Sequence, residues 1–297
     1  MALAACIQFS GLRDVMNTTA HYLAPAKINL CLHVLGRRPD GYHELAMIMQ
    51  RVSLYDRLEM TLTGEPGVRV ICPGVDLPPD GENIAARAAR RLLALAGERC
   101  GVEIVIDKQI PVAAGLGGGS SDAAAVLMGL NDMLELGLDS TILMAEGARL
   151  GADVPFFIFG ATAWATGIGD RLEKVEDMPP LWYVLVNPGL AVSTAWVYQN
   201  LGLTSKIEEA KLPRFSRTVG GVVGLLHNDL ERVTVSRYPL VAKVKEELVA
   251  SGAGGVLMSG SGPTVFGVFA EETAARKAAD ELLHRHSDWR VFVVQPV

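Results

Sequence analysis

Apolar and polar side chains alternate from Tyr22 to Val34, and Ile28, Leu30, Leu32 and Val34 fall on one face. That period predicts a half-buried β-strand. A turn-rich segment, Gly36-Arg-Arg-Pro-Asp-Gly-Tyr42, ends it. Glu44 to Leu58 is apolar with breaks and predicts two strands, or a strand with a bend; Val68 to Cys72 predicts a further short strand. From Asn83 to Leu95 the period changes to that of a helix, with Ile84, Ala88, Leu92 and Leu95 in one stripe and Gly97 as a stop. A β-branched strand, Val102 to Ile106, then leads into a glycine-rich loop and a helix from Ser121 to about Leu136. Another helix starts at Ser140 or Thr141 and ends by Gly151. The remaining pattern predicts strands at Trp182–Val186, Val256–Ser259, Thr264–Phe269 and Val291–Val294, and helices at Thr194–Leu201, Leu240–Ser251 and Glu272–His284. Strands and helices mix without a strict βαβ rhythm, so the expected class is α+β rather than a doubly wound sheet.

The chain has 297 residues, enough for two modest domains, and 49% hydrophobic residues, enough for a sizeable core. Pro179-Pro180 is the best linker candidate. The expected division is an N-terminal extension over residues 1–19, a nucleotide-binding domain over 20–178 and a C-terminal domain over 179–297. Met1 to Val15 is mildly apolar, carries no basic leading segment, does not read as a signal peptide and is expected to be disordered. No apolar run reaches the roughly 18 residues that span a bilayer, and a cytoplasmic location is expected. The net charge is −6 and no Lys/Arg-rich run occurs, which argues against a nucleic-acid partner. Cys6, Cys31, Cys72 and Cys100 show no metal or disulfide spacing and read as reduced, buried thiols. His284 and His286 read as residues of a solvated helix face.

The densest chemistry is the segment Pro111, Val112, Ala113, Ala114, Gly115, Leu116, Gly117, Gly118, Gly119, Ser120, Ser121, followed by Asp122. A strand enters it and an alanine-rich helix leaves it. Glycines let a backbone turn sharply and approach a ligand closely, and a helix N-terminus presents N–H groups and partial positive charge to an anion. A turn with a serine N-cap would need only one or two of these glycines; four in five positions point to phosphate. The loop is not a Walker A motif, since no lysine follows the glycines, and it lacks the third glycine of a dinucleotide fingerprint, where Ser120 stands.

This loop resembles the central motif of the GHMP kinases, the superfamily of galactokinase, homoserine kinase and mevalonate kinase. Further segments carry the likeness: Ala24-Pro-Ala-Lys-Ile-Asn-Leu30 with Asp40-Gly-Tyr-His43, Leu150-Gly-Ala-Asp-Val-Pro155, and Ser259-Gly-Ser-Gly-Pro263. Together they cover the chain from about residue 20 to its end. The first pair is specific to the branch that phosphorylates a cytidine diphosphate-linked methylerythritol on its 2-hydroxyl, in non-mevalonate isoprenoid precursor synthesis. The resemblance implies two α+β domains with the active site in the cleft between them, with ATP and Mg²⁺ as cofactors and a cytidine diphosphate-linked polyol as the other substrate. Where the family pattern has glycines, this chain has Ala113 and Ala114, which restricts the loop slightly.

The same resemblance implies the residue roles. Asp153 matches the catalytic aspartate; by spacing alone it could equally cap the short helix that Pro155 opens. Lys27 matches the active-site lysine, although a lysine alternating with apolar neighbours is more often on a solvent face. Asn29, on the same strand face, Tyr42, His43, Thr194 and Tyr198 would contact the acceptor, the aromatic residues closing on the cytosine. Asn83 and Lys108 flank the nucleotide in the family; read by themselves they are a helix cap and a surface lysine. Ser259 to Gly262 would supply further backbone donors, or be a plain hairpin turn. No residue is assigned to Mg²⁺. Two alternatives stay open: another GHMP-type kinase, of homoserine or mevalonate type, and a non-catalytic nucleotide-binding module.

Overall fold

The computed structural model describes residues 17–75, 83–98, 100–202 and 216–297. Residues 1–16 of the expected N-terminal extension, Cys6 among them, lie outside them; Thr19 already belongs to β1. In chain order the elements are β1 (Thr19–Arg37), β2 (His43–Thr63), β3 (Gly67–Ile71), α1 (Ile84–Leu95), β4 (Gly101–Asp107), α2 (Gly118–Met133), α3 (Ser140–Ala148) and α4 (Val154–Phe159). There follow β5 (Ala163–Gly167), β6 (Arg171–Lys174), β7 (Trp182–Asn187), α5 (Thr194–Gln199), α6 (Val219–Val223), β8 (His227–Asn228), α7 (Glu231–Arg237), α8 (Pro239–Ala250), β9 (Gly255–Met258), β10 (Val265–Phe269), α9 (Glu272–Arg285) and β11 (Arg290–Val294). The class is α+β, as expected. By contact the chain divides into two units that interleave in sequence. The first is Met1–Ala24, Asp56–Gln109 and Gly119–Ile158; the second is Pro25–Tyr55, Ile110–Gly118 and Phe159–Val297. Pro179-Pro180 falls inside the second.

In the first unit the strand order is β3-β4-β2-β1. β2 runs antiparallel to β4 from Arg57↔Asp107 to Thr63↔Gly101, while β3 is parallel to β4. Leu58, Met60 and Leu62 alternate inward, as do Val102, Ile104 and Ile106, so one face of these strands is apolar. Helix α1 buries Ala85, Ala88, Ala89 and Leu92, and Asn83 caps it by accepting from the Ala85 and Ala86 N–H groups. Helix α2 lies close to the strands because Gly129 has no side chain: a Cβ there would come within 2.3 Å of Met60 Cε and 2.8 Å of the Tyr22 ring. The Tyr22 hydroxyl donates to the Gly129 carbonyl at 3.2 Å.

In the second unit β1 pairs parallel with β8, β2 pairs antiparallel with β5, and β5 with β6. A separate antiparallel sheet has the order β11-β7-β10-β9. One core cluster contains Ile28, Leu30, Ile48, Leu116, Leu185 and Phe266. Strand β2 is a single run of 21 residues instead of the broken segment expected over Glu44–Leu58. Leu45 to Gln50 are all buried, on both faces, so alternation vanishes there and returns only beyond Arg51. His286 also departs from expectation: it is half-buried and stacks on Trp289 with ring centroids 3.8 Å apart. Cys31 and Cys100 are buried and Cys72 half-buried. Burial raises all three thiol pKa values, Cys31 to about 11, so none is a ready nucleophile at neutral pH.

Phe266 is fully buried and meets Tyr183 edge-on at 5.7 Å, while the Tyr183 hydroxyl donates to Gln50 Oε1. Phe266→Ala is expected to destabilise the protein by about 3–5 kcal/mol, the usual cost of emptying an aromatic core position. Urea denaturation followed by tryptophan fluorescence measures it; a loss below about 1 kcal/mol would show that the core collapses into the space.

Candidate active site

The second unit gathers most of the sequence-selected residues. Strand β1 puts Lys27 and Asn29 on one face, two residues apart. Both are buried, at 5% and 0% exposure, so Lys27 is not on a solvent face. Its Nζ donates to Asn29 Oδ1 at 2.7 Å, and Asn29 Nδ2 lies 3.3 Å from Met47 Sδ. The Lys27 backbone N–H donates to the Leu116 carbonyl at 2.9 Å, which ties the lysine to the glycine loop.

The loop from Pro111 to Gly117 is held from beneath. Ala114 and Leu116 are buried, whereas Val112 is 60% exposed. Gly115 has φ +77° and Gly117 +72°. A Cβ on Gly115 would lie 2.1 Å from the Ser259 carbonyl oxygen, so only glycine fits there. The Ser259 hydroxyl donates to the Gly115 carbonyl at 3.0 Å. Ala113 has φ +51°, a left-handed conformation that costs a non-glycine residue about 1 kcal/mol or more. The turn Ser259–Pro263 connects β9 to β10, so the hairpin reading is correct, and it also packs on the loop. Its backbone is fixed by side chains that the sequence did not single out. Asn228 donates to the Met258 and Gly260 carbonyls at 2.7 and 2.8 Å, and Thr234 to the Ser261 carbonyl at 3.1 Å. Thr194 Oγ1 and Ser261 Oγ are 2.8 Å apart.

His43, the first residue of β2, stacks on Tyr198 of α5 with centroids 4.7 Å apart and planes 25° from parallel. Burial, with the charge of Arg37 second, lowers the His43 pKa below 6.5. The neighbouring Tyr42 does not join this stack pairwise; its side chain is 59% exposed and its N–H is held by Asp40 Oδ1 at 3.1 Å.

The first unit holds the remainder. Asn83 is the α1 cap described above. Lys108 is no surface lysine: its side chain is 5% exposed, and its Nζ donates to Asp56 Oδ2 and, at 2.8 Å, to Asp122 Oδ2. Asp56 also accepts from the Gln109 N–H at 2.7 Å. Burial acts to lower the Lys108 pKa, but the two carboxylates outweigh it and the net shift is upward. Neither aspartate was legible as a site residue: Asp56 sits in a strand and Asp122 reads as a helix-opening acid. Helix α2, 16 residues long, begins at Gly118. Beside its first turn, Ser121 Oγ and Asp122 Oδ1 are buried without a hydrogen-bond partner among the described residues. Within this unit, the N-terminus of a long helix and an unpartnered buried hydroxyl fit a phosphate group. The turn Gly151–Asp153 leads into α4, with Gly151 beside Ser120 (a Cβ there would lie 3.7 Å from Ser120 Oγ). Asp153 is half-buried at the end of that turn.

Fold and loop together define a class. Residues 83–161 match the model of the GHMP kinases N terminal domain, and residues 217–287 that of the GHMP kinases C terminal region. The chain belongs to the GHMP kinase family. It is 66% identical over 276 residues to the 4-diphosphocytidyl-2-C-methyl-D-erythritol kinase of Syntrophotalea carbinolica, covering 93% of this chain and 98% of that one. It is 57% identical to the protein of the same name from Geobacter metallireducens, covering 92% and 96%. The crystal structure of 4-(cytidine 5'-diphospho)-2C-methyl-D-erythritol kinase is similar with a TM-score of 0.77 at 37% identity, covering 93% of this chain and 99% of that one. A homoserine kinase from Cytophaga hutchinsonii shares the fold, with a TM-score of 0.71 at 20% identity over 97% and 96% of the two chains.

Asp122 yields a pH prediction. Burial first, and the negative charge of Asp56 after it, push its carboxyl up to about 7 from 3.8, against the pull of Lys108. A raised folded-state value means that the bound proton stabilises the fold. That contribution is complete below about pH 4 and is lost as pH rises through about 7. Asp122→Asn is therefore expected to shrink the fall in Tm between pH 5 and pH 8 relative to the unsubstituted protein. Parallel Tm–pH curves for the two proteins would remove Asp122 as the titrating group.

Proposed function

We infer that this chain is an ATP-dependent kinase that transfers the γ-phosphoryl group to the 2-hydroxyl of 4-diphosphocytidyl-2-C-methyl-D-erythritol, in non-mevalonate isoprenoid precursor synthesis. One observation carries the reading beyond its relatives' names. Lys27 and Asn29 are buried and hydrogen-bonded to each other, and the Lys27 backbone N–H donates to the glycine loop that leads into α2. A non-catalytic nucleotide-binding module has no use for a buried, desolvated lysine beside its phosphate loop.

The substrates are MgATP and the cytidine-bearing alcohol. Backbone N–H groups of Gly115 to Gly119, with Ser120 and Ser121 at the head of α2, bind the phosphates; Mg²⁺ enters with ATP as counter-ion to its phosphate oxygens. Asn83 and Lys108 act on the nucleotide region by holding the framework around α1 and α2. The acceptor oxygen attacks the γ-phosphorus, the bond to the β–γ bridging oxygen breaks, ADP leaves, and the hydroxyl proton passes to Asp153 as general base. Lys27 stabilises the charge on the transferring group and is itself oriented by Asn29. Thr194 fixes the Ser259–Pro263 turn through Ser261. On the acceptor side His43 and Tyr198 form an aromatic platform that a cytosine ring extends, with His43 nitrogens available to its hydrogen-bonding edge and Tyr42 on the open rim. The enzyme works in the cytoplasm, where ATP is supplied. Among the described residues no helix is long and apolar enough to cross a membrane.

ADP release measured with a panel of acceptor alcohols tests the assignment: turnover on the cytidine-bearing substrate is expected, with little on homoserine, mevalonate or the base-free methylerythritol phosphate. Comparable turnover on an acceptor without cytidine would reduce the reading to a GHMP-type kinase. Asp153→Asn is expected to lower kcat about a hundredfold to ten-thousandfold, the usual contribution of a general base, with the ATP KM little changed. Near-normal turnover would take Asp153 out of the proton transfer. Tyr198→Ala removes half of the stack, worth about 1–3 kcal/mol per base. It is expected to raise the acceptor KM roughly tenfold to a hundredfold and leave the ATP KM unaffected; parallel movement of both KM values would contradict a cytosine platform.

A further inference from the structure

Away from the glycine loop, β1 and β8 bring together three side chains that the kinase reaction does not use. In the parallel register Cys31 pairs with His227 and Leu32 with Asn228, so His33 lies one step along β1 on the same face as Cys31. The rings of His33 and His227 stack with centroids 4.4 Å apart and planes 13° from parallel. Asp229, the next residue after β8, is anchored twice to the edge of β1. Its N–H donates to the Leu32 carbonyl at 3.0 Å, and its Oδ2 accepts from the Val34 N–H at 2.7 Å. Its other oxygen, Oδ1, lies 2.7 Å from His227 Nε2. One ligand atom from each of His33, His227 and Asp229 lies within 4.8 Å of the other two.

A His–Asp hydrogen bond at a strand edge explains His227 and Asp229, but not why a second imidazole is held face to face with the first. Two imidazoles and a carboxylate, with ligand atoms within 4.8 Å of one another, form a ligand set. It differs from the all-oxygen shells that Mg²⁺ and Ca²⁺ take and suits a borderline divalent ion, with Zn²⁺ near the top of the affinity order. Exposure agrees: His227 is exposed while His33 and Asp229 are half-buried. The site therefore opens on one side, and His227 and Asp229 line the wall of a cavity of about 630 Å³ that also contains Glu231, Arg232 and Lys245. That leaves room for water or an exogenous ligand in a fourth position.

We propose that His33, His227 and Asp229 form a binding site for a Zn²⁺-type divalent transition-metal ion, separate from the phosphate loop, that clips β1 to the segment preceding α7. The ligation needs only short movements. Metal–ligand bonds of about 2.0–2.2 Å in a tetrahedral site require His227 Nε2 and Asp229 Oδ1, now 2.7 Å apart, to separate by about 0.7 Å while the His33 ring turns toward them. Asp229 stays fixed by its bond to Val34. Because β1 also carries Lys27 and Asn29, an ion here would steady the strand that presents them.

The test uses the full chain, stripped of metal with chelator and free of nucleotide. Equilibrium dialysis against Zn²⁺ with elemental analysis is expected to give one tightly bound ion per chain, with a micromolar or lower Kd. Co²⁺ in its place is expected to show visible d–d bands of nitrogen and oxygen ligation, and Zn²⁺ to raise Tm. His33→Phe and His227→Asn leave the Asp229 anchor to β1 in place, and each is expected to weaken Zn²⁺ binding at least tenfold and abolish the Tm rise, with the metal-free circular dichroism and Tm kept. Should a variant fail to keep its metal-free fold, the cobalt spectrum of the unsubstituted chain decides: bands dominated by thiolate charge transfer place the ion on cysteine and overturn the site. Absence of a stoichiometric ion at 100 μM Zn²⁺, binding that survives both substitutions, or loss in only one of two folded variants would each overturn it as well.

Discussion

The second unit depends on a contact between two backbones. Gly115 approaches the Ser259 carbonyl so closely that a single methyl group would sit 2.1 Å from its oxygen. Everything around that point serves to keep the approach possible. Ser259 returns a hydrogen bond to the Gly115 carbonyl, the Lys27 N–H takes the next carbonyl along, and buried Ala114 and Leu116 root the loop in the core. On the far side, Asn228 and Thr234 hold the partner turn by its carbonyls. A loop whose carbonyls are consumed below is left with its N–H groups for a ligand. This is how a segment with many glycines, entropically costly to order, is held in one conformation.

The buried charges follow a different logic in each unit. Lys27 is desolvated with a neutral partner, Asn29, whose Oδ1 orients the ammonium without cancelling it. Lys108 is desolvated between two carboxylates, an arrangement one negative charge in excess. Burial first, and the charge of Asp56 after it, raise the Asp122 pKa there. The two lysines thus sit in different surroundings: Lys27 is hydrogen-bonded to an amide, and Lys108 pins β2, β4 and the head of α2 to one another.

On the acceptor side the same economy of position recurs. The hairpin between β1 and β2 is braced by Arg38, which pairs with Asp40 and Glu44 at about 3.0 Å, and the Asp40 carboxylate in turn holds the Tyr42 N–H. His43 leaves this braced turn directly onto the ring of Tyr198, 155 residues on in sequence (198 − 43). The stack is thus braced at its His43 end by the turn.

Much of this was legible in the sequence by itself. Helix periods placed α1, α2, α8 and α9 within a few residues, because an amphipathic stripe and a capping residue such as Asn83 are local signals. The glycine loop and its likeness to a kinase family were local too, since contiguous residues carried them. What the tertiary structure decided was everything that depends on what covers a segment. Strand β2 looked broken because Leu45 to Gln50 are buried on both faces and alternation fails there. Lys27 and Lys108 looked like surface residues because nothing within a few positions reveals that a strand face is covered. Asp56, Asp122, Asn228 and Thr234 gave no signal, since their partners lie 14 to 52 residues away. His33 and His227, 194 residues apart (227 − 33), meet only through a two-residue parallel pairing. Local order and motif chemistry are written in neighbouring residues; burial, charge pairing and close backbone approach are properties of the packed chain, and only folding creates them.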